Sequence, residues 1–145
     1  MEVIHGVDHV ALSVSNLERS IRFYQLVGGL EVQRVIEKSP GEKLGRVTGL
    51  PGARARIAHL SDGRIMLELF EYVSPSGRAI EPGRTQADYG FIHIGFRSDD
   101  TRADYRRLLE AGVSFIGEPT EFRPGVWICY FCGPDGEVCE LRQPD

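Results

Sequence analysis

The chain has 145 residues, 41% of them apolar, enough for one compact core and too few for a multidomain assembly. Seventeen Lys and Arg against 21 Asp and Glu give a net charge of −4, which offers no broad basic surface and makes nucleic acid an unexpected partner. No apolar run approaches the ~20 residues that cross a bilayer, and the opening MEVIHGVDHV lacks a basic stretch followed by an apolar one, so a soluble, cytoplasmic protein without membrane contact is expected.

In chain order, residues 7–14 alternate as a strand does, with Val10, Leu12 and Val14 on one parity. Ser15 and Glu18 form an S-x-x-E capping box, and Leu17, Ile21 and Tyr24 recur at helical spacing until Gly28 and Gly29 stop the helix. Strand candidates follow at 30–37, 54–60 and 64–72, the last two joined by the turn Ser61-Asp62-Gly63. The loop 38–53 between them is longer than most connections, the kind of loop that borders a site. Residues 73–89, rich in Pro, Gly and polar side chains, read as a linker.

A second series begins at 91–98 with another alternating strand. Asp99 and Asp100 can cap a helix that carries Tyr105, Leu108 and Leu109 on one face, with Gly112 as its stop. Strand candidates follow at 113–117, 125–131 and 137–142, the last two joined by Gly133-Pro134-Asp135-Gly136. Cys129 and Cys132 form a C-x-x-C, but residues three apart on a strand face opposite ways, and the third cysteine, Cys139, leaves an odd count. Structural thiols are therefore expected.

The two series are one pattern repeated. At an offset of 84, residues 7–14 lie over 91–98 and His9 falls on His93. The expected fold is α+β, a single domain of two βαβββ modules: the first about 5–72, the linker 73–89, the second about 90–143. Parity then sorts the polar residues by face. His9, Ala11 and Ser13 oppose the apolar side of the first strand, and His93, Gly95 and Arg97 do so in its repeat. Glu68, between Leu67 and Leu69, matches Glu140, between Cys139 and Leu141, each behind its hairpin.

Each half thus offers one His and one Glu on the face away from the helices. A carboxylate in mid-strand among apolar neighbours costs several kcal/mol if left unpaired, so something should neutralise it. One answer is ion pairs with Arg64, Arg97 or Arg142, leaving the histidines as hydrogen-bonded core residues. The other is a divalent metal ion, for which imidazole and carboxylate are ordinary ligands. Repetition of the pair in register favours the metal. His5, near the terminus, and His59, before a turn, read as structural or solvent-facing.

The segment Asp-His-Val-Ala-Leu-Ser-Val-Ser-Asn-Leu-Glu-Arg-Ser-Ile-Arg-Phe-Tyr and the closing Gly-Pro-Asp-Gly-Glu-Val-Cys-Glu-Leu resemble the first strand and helix and the final hairpin of the vicinal oxygen chelate superfamily. That superfamily includes glyoxalase I, methylmalonyl-CoA epimerase, extradiol dioxygenases, and fosfomycin and bleomycin resistance proteins. The resemblance covers nearly the whole chain. It implies a cupped, incomplete barrel holding one divalent ion (Ni, Co, Zn, Mn or Fe) on His9, Glu68, His93 and Glu140, a set similar to that of glyoxalase I.

The resemblance further implies a glyoxalase-like isomerase or lyase. It would act on a small α-oxygenated carbonyl compound or thioester through a metal-chelated enediolate, with Glu140 or Glu68 as the base. The alternatives are racemisation of the methylmalonyl-CoA epimerase kind and ligand sequestration of the bleomycin-resistance kind. An extradiol dioxygenase is disfavoured by a fourth ligand at Glu68. Arg97 and Arg142 share the predicted site face, where they either hold an anionic group of the substrate or pair with the glutamates. Unclosed sheet edges and the resemblance both imply a homodimer.

Overall fold

The computed structural model describes residues 3–144 and resolves into two units, one ending at Arg78 and the other beginning at Ala79. The first unit contains β1 (His9–Ser13), α1 (Leu17–Gly28), β2 (Glu31–Ile36), α2 (Gly41–Thr48), β3 (Arg54–Ser61) and β4 (Met66–Ser74). The second contains β5 (Ile94–Arg97), α3 (Thr101–Glu110), β6 (Thr120–Arg123), β7 (Val126–Cys132) and β8 (Val138–Arg142). Each unit builds an open four-stranded mixed sheet, in the order β1-β4-β3-β2 and β5-β8-β7-β6. In both, the first strand runs parallel to the last and the remaining pairs are antiparallel. The α+β class expected from the sequence is therefore present, and the two units share one strand order. No helix among the described residues is long and apolar enough to cross a membrane.

Helix α1 buries Leu17, Ser20, Tyr24 and Val27, a stripe at three- and four-residue spacing. Its N-cap is Asn16, whose Oδ1 accepts from the Arg19 amide at 2.8 Å, one residue later than the expected capping box. With Asn16 as the cap, Glu18 falls at the second helical position, one short of where a capping box needs it, and its carboxylate pairs instead with the Arg56 guanidinium on β3. The carboxylate of Glu71 on β4 accepts from the Leu17 amide, so the helix start is tied to the strand that carries Glu68. Helix α3 is capped by Asp100, which accepts from the Arg102 and Ala103 amides. It buries Thr101 and Leu108, while Leu109 is 49% exposed, contrary to the expected face.

Two elements differ from expectation. The stretch 38–53 contains α2, whose Leu44 packs with Ala53, Ala55 and Ile57, against which Ile36, Phe70 and Tyr72 also lie. The segment 113–117 is not a strand: Phe115 makes one isolated bridge to Phe131, and its ring packs on Tyr105 at 4.6 Å and Phe131 at 5.5 Å. The strand that follows α3 is instead β6, exposed along its length and, among the described residues, paired only with β7. The three cysteines are free thiols, with Cys129 and Cys139 buried and Cys132 half-buried, as expected.

Candidate functional site

Within the first unit, β1 sets His9 beside β4, where it is the register partner of Met66, two positions before Glu68. The alternation read from the sequence holds, with His9, Ala11 and Ser13 on the more exposed parity of β1. His9 Nε2 stands 3.2 Å from Glu68 Oε2, and its Nδ1 is 2.8 Å from Asp8 Oδ2. The other oxygen of the same carboxylate is 3.1 Å from His59 Nε2.

His59 is the residue whose partner the sequence reading does not identify. It lies within β3, directly opposite Glu68 across the β3–β4 hairpin. Counting back from the Ser61–Met66 pairing that closes this hairpin puts 60 on 67 and 59 on 68, which is the signal that could have found it. His5 remains an exposed residue ahead of β1.

The second unit repeats the pair. His93, immediately before β5 rather than within it, places Nε2 3.4 Å from Glu140 Oε2. Its Nδ1 is 2.8 Å from Gln86 Oε1, and its ring lies 5.1 Å from that of Tyr130. Tyr130 is the cross-strand partner of Glu140 and thus occupies the place His59 holds opposite Glu68. Burial, then the Glu140 charge, then the hydrogen bond it shares with that carboxylate push the Tyr130 phenol above its usual range, keeping it a neutral donor. Glu140 is the more enclosed of the two acids, with 11% of its side-chain surface exposed against 15% for Glu68. Arg97 and Arg142 are register partners on the parallel strands β5 and β8.

The ring nitrogens of both histidines are ordered alike. A carboxylate can only accept, so the contact with Asp8 calls for a proton on His9 Nδ1. That hydrogen bond holds His9 above its ordinary pKa; burial opposes the shift and the Glu68 charge reinforces it. In both units the second nitrogen, Nε2, is turned to a carboxylate oxygen. Two acceptors cannot face each other at this range without a cation, either a proton on the ring or a metal ion.

The spacing suits a metal. Two donors each about 2.1 Å from one ion and about 90° apart stand about 3 Å from each other, close to the 3.2 and 3.4 Å found here. Imidazole with carboxylate is a fitting donor set for a divalent first-row ion, and each ring's other nitrogen is held as metal-bound histidines commonly are. Among the described residues, no three or more His, Cys, Asp or Glu side chains are gathered into a complete ion site. Each unit presents one matched pair of the proposed ligands.

A family model described as the Glyoxalase/Bleomycin resistance protein/Dioxygenase superfamily matches residues 6–141. A 2-epi-5-epi-valiolone epimerase from an Actinomyces species is 32% identical over 146 aligned residues, covering 94% of this chain and 78% of that protein. Metallothiol transferase FosB from Shouchella clausii is 26% identical, covering 97% and 81% respectively. Among solved structures, a glyoxalase family protein from Bacillus cereus superposes with a TM-score of 0.88 at 26% identity, covering 98% of this chain and 95% of that one.

Proposed function

Because the chain belongs to the Glyoxalase/Bleomycin resistance protein/Dioxygenase superfamily, we propose that it is a divalent-metal-dependent enzyme that moves a proton on carbon beside a carbonyl in a small oxygenated substrate. The reaction class is isomerase or lyase of the glyoxalase kind, with epimerisation as its nearest variant. The ligands in this reading are His9 and Glu68 from one unit and His93 and Glu140 from the other. The observation that carries it is the twice-repeated contact of a histidine Nε2 with a mid-strand glutamate at 3.2 and 3.4 Å. Epimerisation gains support from the relative named an epimerase, since inverting a carbon centre next to a carbonyl is itself a proton removal and return.

Held by those residues, a divalent ion, whether Ni, Co, Zn, Mn or Fe, would supply a Lewis acid that eases proton loss from carbon beside a carbonyl. The protein's own groups do the rest. Glu140 and Glu68 are the carboxylates that accept and return the proton, and Tyr130 and His59 hold them from the neighbouring strands. Arg97 and Arg142, register partners on β5 and β8, are the cationic residues that would take a carboxylate or phosphate of the substrate. A homodimer belongs to the same reading, since each sheet has open edge strands.

Metal analysis of the purified protein tests the ligand set. The expected result is a bound divalent ion that is lost in His93→Ala without loss of fold. Solvent deuterium should then enter the substrate at the carbon beside the carbonyl. Uptake of dioxygen during turnover, or full ligand binding by metal-free protein, would overturn the reading. Turnover of a glutathione hemithioacetal separates the glyoxalase reaction from epimerisation.

A further inference from the structure

The linker read from the sequence does more than join two modules. Residues 84–92 are folded back on themselves: Arg84 donates to the Phe91 carbonyl at 2.8 Å, and Asp88 accepts from the Thr85 amide. Gln86 projects from this segment and is half-buried. Its Nε2 donates to the Ile92 carbonyl at 2.9 Å, which fixes the orientation of the amide, since only the nitrogen end can donate. Oε1 is then the atom facing His93 Nδ1 at 2.8 Å, and it must accept. The proton of a neutral His93 is thereby placed on Nδ1, leaving a lone pair on Nε2 towards Glu140.

The repeat explains why such a device is needed. In the first unit the acceptor for Nδ1 is Asp8, the residue before His9. At the offset of 84 the corresponding residue is Ile92, which has no acceptor in its side chain. We propose that Gln86 is a positioning residue, supplied by the segment between the modules, that sets the tautomer and ring orientation of His93 so that Nε2 is presented for ion binding. The inference rests on the reading of His93 as an ion ligand.

The test uses the full-length protein with Gln86→Leu, which keeps bulk but neither accepts nor donates, and Gln86→Glu, which keeps the acceptor. Ring nitrogen shifts of His93 in metal-free protein at alkaline pH should report the Nδ1–H tautomer in the wild type and in Gln86→Glu, and its loss in Gln86→Leu. Affinity for cobalt or zinc, measured against a chromophoric chelator, should fall about 10- to 100-fold in Gln86→Leu. It should recover at least partly in Gln86→Glu, while the tautomer of His9 stays unchanged throughout.

Wild-type tautomer and affinity in a folded Gln86→Leu would overturn the proposal, and so would an altered tautomer with unchanged affinity. If the wild type itself binds neither ion, the ligand reading fails and the role in ion binding fails with it. The tautomer measurement still decides whether Gln86 orients the ring.

Discussion

At the scale of single residues, chemistry and burial have to be separated, and the cysteines show how. Cys129 sits one position from Tyr130, and burial, reinforced by the Glu140 charge, pushes its thiol up to about 11. The neutral thiol is therefore the form the fold favours. Its contribution to stability is complete below the ordinary value near 9 and is lost as pH rises through 11. With so little thiolate at pH 8, alkylation of the folded protein should reach half-buried Cys132 first and leave buried Cys129 and Cys139 until the chain unfolds. Peptide mapping after a timed maleimide pulse checks this; equal labelling of all three in folded protein would contradict it. A similar separation applies to His59, which the sequence left as a structural or surface residue. Its character depends on Glu68, nine positions away in sequence and directly opposite in the sheet.

At the scale of elements, legibility followed the strength of the hydrophobic period. Strands β1, β3, β4, β7 and β8 alternate or run apolar, and their positions were readable to within a residue or two. Helix α2 was not, because Gly41–Thr48 is only eight residues long and buries just Leu44 and Gly45, too little to show a 3.6-residue period. Strand β6 is hidden in the sequence for the same reason carried further. Its residues are all exposed, whereas the apolar 113–117 imitates a strand but spends Phe115 on ring packing.

Helix α2 also offers a sharp test of packing. A Cβ on Gly45 would lie 2.9 Å from the Leu50 carbonyl oxygen and 3.3 Å from the Gly52 amide nitrogen. Both are backbone atoms of the turn that follows, and the Leu50 amide is itself bonded to the Gly45 carbonyl. The turn cannot yield without breaking that bond, so Gly45→Ala should destabilise the protein by about 1–3 kcal/mol despite alanine's higher helix propensity. Chemical denaturation measures it, and an unchanged midpoint would show that the turn gives way freely.

At the scale of the whole molecule, the duplicated halves raise a question of number that neither pair of ligands answers alone. A single unit contributes one His and one Glu of the proposed set. A held ion ordinarily takes three or more protein donors, so in the proposed reading one ion needs both pairs. Two independent half-sites would lose half their metal when one pair is removed. A shared ion would be lost entirely from either side. His9→Ala and Glu140→Gln, one in each unit, should therefore each reduce the metal content to background rather than by half. The thermal stabilisation that added ion gives the wild type, about 2.7 kcal/mol at roughly 100 times Kd, should vanish in both variants. A variant that kept one half of the wild-type metal and part of the stabilisation would mean that the two pairs act separately. In that case the four residues would not form the single centre on which the proposed proton transfer depends.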